Sequence, residues 1–285
     1  MEIRLLTSDD QPALERFLLP RVSSGMFLLG NSRTAGIGLS DEQYSGVYAA
    51  EMRGDDVRGV FAKFKGGRSS VLADTDVDEP VNISALVQLA QENNLAPLTS
   101  IAGPFDQVEL ALAAVPDRGE PALKSREILF SLDVEDLVIP ANLTDKDCSY
   151  RTITPADLDL ITDWRIDFKA TSLNMSPSTI SREKTRDEIL SQRWWILEAE
   201  GRPVSMTTFN CLIAEAAVVG SVYTPPDLRG KGYARAVVAG SILDAQKEGV
   251  ARVILFTGEE NFPAQRAYRS LGFRECGDFG LVVWG

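Results

Sequence analysis

"VYTPPDLRGKGYARAVV", residues 222–238, passes from strand to turn to helix within seventeen residues. Val222 and Tyr223 close an apolar run, and Pro225 and Pro226 end it, because proline gives no N–H to a sheet ladder. Arg229, Gly230, Lys231 and Gly232 make a basic glycine pair, and Tyr233 and Ala234 open a helix. Ala234, Val238 and Ala245 recur on one face of it, with Val237 and Ile242 alongside. The start of a helix leaves backbone N–H groups without partners and carries a partial positive charge. Glycines permit positive φ and close approach of the backbone to a ligand. A strand that runs into such a turn is a cradle for phosphate. Two common cradles are excluded: Lys231 is followed by glycine rather than Ser or Thr, and the third glycine of a dinucleotide fingerprint is missing.

The rest of the chain gives this basic turn its context. The 285 residues carry a formal net charge of −12, and the imbalance is uneven. Residues 1–142 hold 12 Lys and Arg against 22 Asp and Glu; residues 143–285 hold 17 against 19. An acidic chain argues against nucleic acid as the partner, and the nearly neutral second half is where an anionic ligand is expected. No apolar run is long enough to span a bilayer, and "MEIRLLTSDD" lacks the basic-then-apolar order of a secretory signal. Three scattered cysteines suggest neither disulfides nor a metal site, so a cytoplasmic location is expected. The chain has no histidine, which excludes His-based triads, His metal sites and a histidine general base.

The pattern occurs twice. "YRTITPADLDLITDWRIDF" in the second half and "IRLLTSDDQPALERFL" in the first each read as a short strand followed by a capped helix. Three strands follow in each half, with turns expected at 200–203 and 212–215 and at 53–56 and 65–67. Helix, strand and helix complete both copies, with Gly103 and Gly258 ending the strand before the last helix. A polar linker over 135–149 separates domains at 1–140 and 147–285. Where the second copy has its glycine turn, the first has "DTDVDEPVNIS", residues 74–84, with four carboxylates and no basic residue, which would repel an anion.

The turn resembles the acyl-CoA-binding motif of the GNAT acetyltransferase superfamily, Arg/Gln-x-x-Gly-x-Gly/Ala, with Arg229, Gly232 and Ala234 on its fixed positions. "NFPAQRAYRSLGF", residues 261–273, is similar to a second family pattern through Asn261, Ala264, Tyr268 and the final Leu-Gly-Phe. The resemblance covers the second half well, and the first half only as a copy of the fold without the motif. It implies two tandem α/β domains, each a mixed sheet, antiparallel at first, with helices on both faces. It implies acetyl-CoA as co-substrate, held in a splay between two central strands. The backbone of Val222 and Tyr223 would bond the pantetheine arm, the amides from Arg229 to Ala234 (Arg229, Gly230, Lys231, Gly232, Tyr233, Ala234) the pyrophosphate, and Asn261 would sit near the pantetheine. Tyr268 would lie by the thioester sulfur and protonate the departing thiolate. Residues 166–192 would overlie the acceptor, a small-molecule primary amine.

Without histidine the base is expected to be a carboxylate, acting directly or through water; Glu215 and Asp167 are the candidates. The first domain would shape the acceptor cleft, stabilise its neighbour or mediate homodimerisation. A non-catalytic acyl-CoA-binding module and a protein N-acetyltransferase are the alternatives. Trp194 and Trp195 point to opposite faces of a strand, so at most one can face a site. Cys211 reads as an inert buried thiol, "SREKTRDEIL" as a solvated helix face, and "LGNSRTAGIG" near Gly30 as a flexible loop.

Overall fold

In each half of the chain a short strand leads into a helix through the same three side chains. Arg4, Thr7 and Asp10 stand at the spacing of Arg151, Thr154 and Asp157. The Asp10 carboxylate accepts two bonds from the Arg4 guanidinium, at 2.8 and 2.6 Å, and one from the Thr7 N–H at 2.8 Å. Asp157 accepts from Arg151 at 2.7 and 3.0 Å and from the Thr154 N–H at 2.7 Å. Both form capping boxes that satisfy amides at the helix start. This shared triplet strengthens the repeat with residue identity at positions where only the grammar was apparent.

The structure is a computed structural model that describes residues 1–75, 79–116, 118–145 and 148–284. It divides into two units, Met1–Ile128 with the segment from Gly277 onward, and Leu129–Cys276. The first holds β1 (Glu2–Leu5), α1 (Gln11–Leu18), α2 (Val22–Ala35), β2 (Gly46–Arg53), β3 (Asp56–Phe64), β4 (Arg68–Ala73), α3 (Ile83–Asn93), β5 (Ser100–Gly103), α4 (Phe105–Ala113) and the start of β6 (Leu123–Asp133). After α5 (Ala141–Thr144), the second repeats the order with β7 (Cys148–Thr152), α6 (Leu158–Ser172), α7 (Arg182–Leu190), β8 (Trp194–Ala199), β9 (Arg202–Leu212), β10 (Ala216–Tyr223), α8 (Tyr233–Lys247), β11 (Arg252–Gly258), α9 (Phe262–Ser270) and β12 (Arg274–Val283).

Strand order in the first unit is β1-β2-β3-β4-β5-β12, and in the second β7-β8-β9-β10-β11-β6. Pairing is antiparallel from β1 to β4 and from β7 to β10, then parallel at β4–β5 and β10–β11. The sequence reading gave the last strand to the second domain. Instead Gly280–Val283 pairs antiparallel with Gly103–Ser100 in the first unit, while Leu129–Asp133 of β6 lies in the second.

Alternating strand residues build a core on each face of each sheet. In the first unit Val71 and Ala73 face α3 and α4 through Leu86, Val87, Val108 and Ala111, and Leu72 faces α2. The loop expected around Gly30 is part of α2. Its glycines serve close packing: a Cβ on Gly25 would stand 2.9 Å from Leu72 Cδ2 and 3.0 Å from Leu18 Cδ2. The helix ends at Gly36, with φ of 77°. In the second unit Trp194, Ile196, Met206 and Tyr223 pack against α6, while Trp195 stacks near Phe209 and donates to Asp244 of α8 at 2.9 Å. The two tryptophans do face opposite ways, and both are core.

The Arg151 guanidinium holds the Asp157 carboxyl well below the usual carboxylate range. A depressed folded-state pKa gives stability that is complete above the unfolded value of about 4 and is lost as pH falls. Asp157→Asn should therefore lower unfolding free energy by about 1–2 kcal/mol at pH 7 in urea titrations. The difference from the native protein should shrink as the pH is taken below about 4.

Candidate functional site

β10 and β11 pair in parallel over three positions, Ala216, Ala217 and Val218 against Arg252, Val253 and Ile254, and then part. Beyond Val218 the edge of β10 facing β11 has no ladder partner among the described residues. The same stretch of β10 is irregular against β9, with register shifts at Val218/Val219 and between Gly220 and Tyr223. Ser221 adopts φ of 50°, a left-handed conformation unusual for a residue with a side chain, and it lies within the second shift. A Cβ on Gly220 would stand 2.1 Å from Asn210 Nδ2, so a larger residue there would displace the Asn210 side chain.

β9 holds this bent segment in place. The Thr207 hydroxyl donates to the Gly220 carbonyl at 3.1 Å and the Ser205 hydroxyl to the Tyr223 carbonyl at 2.9 Å. Both side chains are buried, so they satisfy carbonyls that a regular ladder would have paired. The sequence reading missed Ser205 and Thr207. Their signal was a run of hydroxyls, Ser205, Thr207 and Thr208, inside an otherwise apolar strand.

Past the strand, the prolines lead into a short 3-10 turn at Pro226–Leu228, and the Arg229 side chain donates back to the Thr224 carbonyl at 3.0 Å. Gly230 and Gly232 take φ of 81° and 77°. Gly232 is the N-cap of α8 and contributes no side-chain bond. The first backbone bond of the helix runs from the Ala236 N–H to the Gly232 carbonyl at 3.2 Å, so the amides of Tyr233, Ala234 and Arg235 have no helical acceptor. Lys231 is exposed beside them, and the Arg235 side chain folds back within 3.0 Å of where a Gly232 Cβ would be. The turn joins a positive helix end, bare amides and basic side chains.

The second motif surrounds the end of β11. Asn261 caps α9 by accepting from the Ala264 N–H at 3.3 Å and donates to the Thr257 hydroxyl at 3.1 Å. Tyr268 on α9 is 8% exposed, its ring between Phe130 and Phe273 at centroid distances of 6.3 and 6.0 Å. Of the two carboxylates, Asp167 on α6 is brought to the end of β10, where it accepts from the Tyr223 hydroxyl at 3.2 Å. Burial raises the Tyr223 pKa, and the Asp167 charge and hydrogen bond add to that, so Tyr223 is a neutral donor at pH 7. Glu215 is not brought to this group. It lies in the β9–β10 turn, three residues before the last pair with β11, about 10 Å along the strand at ordinary rise. Burial pushes the Cys211 thiol up to about 11, as fits an unreactive thiol. No group of three or more Cys, Asp or Glu among the described residues is placed to hold a metal ion, and no described helix is long and apolar enough to cross a membrane.

Residues 158–273, which carry the parted strands and both motifs, match the acetyltransferase (GNAT) family model. That match covers about two fifths of the chain and places the second unit with the GNAT family. An uncharacterized N-acetyltransferase of Methanocaldococcus jannaschii is 32% identical over 88 residues, which is 29% of this chain and 39% of that protein, so the chain spans about two fifths of that relative's length. Among solved structures, a GCN5-related N-acetyltransferase from Sphaerobacter thermophilus aligns with a TM-score of 0.60 at 18% identity, over 99% of this chain and 94% of that one. A Drosophila protein aligns with a TM-score of 0.67 at 13% identity, over 99% and 98%. At these identities the structural likeness establishes the fold, over nearly the whole chain and thus over both units.

Removing the β9 hydroxyls should uncover the strained segment. Thr207→Val and Ser205→Ala each leave a buried carbonyl unpaired and should cost about 1–3 kcal/mol in urea unfolding. Thr207→Ser, which keeps the donor, should stay close to the native midpoint.

Proposed function

We propose that the second unit transfers an acetyl group from acetyl-CoA to a primary amine of a small molecule by direct attack. Family membership supports acyl-CoA-dependent N-acetyl transfer in general. The observation that carries the finer reading is the unpartnered edge of β10 beside the bare amides of α8, because a molecule with amides along its length and a pyrophosphate at one end matches both.

In this reading the backbone of Val222 and Tyr223 bonds the pantetheine arm, apart from the Tyr223 carbonyl, which already accepts from Ser205. The amides from Arg229 to Ala234 hold the pyrophosphate, with Lys231 and Arg235 contributing charge, and Asn261 keeps the start of α9 fixed against β11. The amine nitrogen attacks the acetyl carbonyl carbon, the C–S bond breaks, and the departing thiolate draws on the Tyr268 hydroxyl as electron density reaches sulfur. The amine gives up a proton to water in contact with a carboxylate. Asp167 is the carboxylate placed at the strand end, and Tyr223 orients it. A small acceptor is supported by the fastening of α7 to α6, with Arg186 to Asp159 at 2.7 Å, Lys169 to Glu188 at 2.9 Å, and Arg182 to Asp163. These bonds hold the segment over 166–192 as a fixed cover. A cytoplasmic location fits the presence of the co-substrate.

Titration calorimetry with acetyl-CoA is the first test; a chain that does not bind it refutes the reading. Free-thiol release with a panel of primary amines then separates a transferase from a binding protein. Tyr268→Phe should reduce kcat by about 10²-fold and leave the Kd for acetyl-CoA within about twofold, since a general acid typically contributes that much or more to rate without holding the ground state. Equal loss of both would remove Tyr268 from the acid role.

A further inference from the structure

The first unit contains a counterpart of the parted strands. β4 and β5 pair in parallel over three positions, Arg68, Ser69 and Ser70 against Ser100, Ile101 and Ala102, and β5 then ends at Gly103, still close to the Val71 carbonyl, whereas β11 runs on to Gly258. β4 continues through Val71, Leu72 and Ala73, and this edge is filled from within the chain. Gln107, on α4, reaches across so that its carboxamide oxygen accepts from the Ala73 N–H at 2.7 Å and its NH₂ donates to the Ala73 carbonyl at 2.9 Å. Gln107 is 6% exposed. One planar amide that engages both the N–H and the C=O of a single strand residue reproduces what a neighbouring strand, or an amide-bearing ligand laid along the edge, would provide.

Position in the repeat shows what Gln107 replaces. It is the third residue after the N-cap of α4, Pro104, and the third after the N-cap of α9, Asn261, is Ala264. Alanine there is too short to reach the strand. The seventh residue is Ala111 in α4 and Tyr268 in α9. Ala73 lies three residues past the last β4–β5 pair, as Ser221 lies three past the last β10–β11 pair. Gln265, the glutamine of α9, turns instead to its own loop and donates to the carbonyls of Gly258 and Glu259 at 3.1 and 2.8 Å.

The start of the following helix is filled in the same way. The Asn82 N–H, at the N-cap of α3, donates to the Glu51 carboxylate at 2.9 Å, and the Asn82 side chain accepts from the Ala85 N–H at 3.1 Å. Glu51 is 4% exposed and stands 3.6 Å from the Arg58 guanidinium. A buried carboxylate therefore holds the N-cap amide of α3, and the Ile83 and Ala85 amides that follow bond the Val81 carbonyl and the Asn82 side chain, where the matching amides of α8 have no helical acceptor. Residues 76–78 of the acidic turn lie outside the described residues; Glu51 and Gln107 carry the assignment without them.

We propose that the cofactor cleft of the first unit is permanently occupied by the chain itself. Gln107 stands in for an amide of the pantetheine arm and Glu51 for the anionic group at the helix start, so that the two-unit chain takes up one equivalent of coenzyme A. The count of one rests on the reading of the second unit given above; the occupancy of the first does not.

Two measurements on the full chain test this. In calorimetry with coenzyme A the native protein should bind one equivalent, and Gly232→Val, which obstructs the turn of the second unit, should bind none. In hydrogen exchange the Ala73 amide should be protected in the native protein and should exchange at least tenfold faster in Gln107→Met, with neighbouring β4 amides unchanged. Should Gln107→Met not fold, Gln107→Glu serves: ionised, it can accept from Ala73 but not donate, and protonated it does both. Its melting temperature should then approach the native value as pH falls from 7 to 5, because the folded state binds the proton more tightly. Binding of two equivalents, one equivalent retained by Gly232→Val, or Ala73 protection indifferent to residue 107 would each overturn the proposal. A native chain that binds none, with Ala73 uncovered by Gln107→Met, would refute the cofactor reading of the second unit and uphold the occupancy of the first.

Discussion

Two parallel strands that stop pairing part-way create a debt of hydrogen bonds, and much of this structure follows from how each unit settles it. Backbone N–H and C=O groups withdrawn from water need partners, and an unpaired one costs on the order of a typical hydrogen bond or more. After Val218 and Ile254 the β10 edge turns away from β11. On its other side, hydroxyls of β9 capture the carbonyls of Gly220 and Tyr223 that the irregular register would otherwise strand. The side that faced β11 keeps polar groups without a ladder partner among the described residues. In the first unit the same parting is closed by Gln107. The sheet geometry is common to both units, and the difference in outcome lies in a few side chains.

What the units share and what they do not share follow different rules. The Arg-x-x-Thr-x-x-Asp triplet at the start of each copy ties strand to helix in the same way, with a carboxylate held ionised by a guanidinium and backbone N–H. That device supports the fold whether or not a ligand binds, so it is needed in both copies. In the proposed reading the glycine turn serves a ligand and not the fold. Gly230 and Gly232 hold positive φ at the entrance to α8, and such residues add nothing to stability that a capping side chain would not exceed. In the first unit the equivalent helix start has a capping asparagine and a carboxylate on its amide, which is the arrangement expected once closure of the fold is the sole requirement.

Much of this was legible in the sequence because it is local. The turn at 229–232, the alternation of strands and helices, and the opposed tryptophans all depend on residues near one another in the chain. The features that escaped depend on contacts distant in sequence. Gln107 lies 34 residues from Ala73, and nothing near either residue announces the pair. The stretch around Gly30 suggested a loop, because Gly30 inside α2 looks the same in sequence as Gly36, which ends it. Glu215 stood next to the right strand but at its paired end, a distinction set by where β10 and β11 separate. The last strand was assigned by proximity in sequence, whereas Gly280–Val283 pairs with β5.

The absence of histidine shapes the chemistry that the second unit can perform. A free thiol has a pKa of about 8.5 and a phenol about 10, so full proton transfer from tyrosine to thiolate is uphill by about 2 kcal/mol in water. Tyr268 is therefore better suited to donating a strong hydrogen bond to sulfur while the C–S bond breaks than to losing its proton. Its ring packs against Phe130 and Phe273, with the Arg269 guanidinium over the Phe130 ring at 5.5 Å. In the proposed reaction Tyr223 serves the other end: bonded to Asp167, it fixes a carboxylate instead of meeting a leaving group. The two tyrosines thus divide between them the donor and orienting roles that a histidine often performs alone.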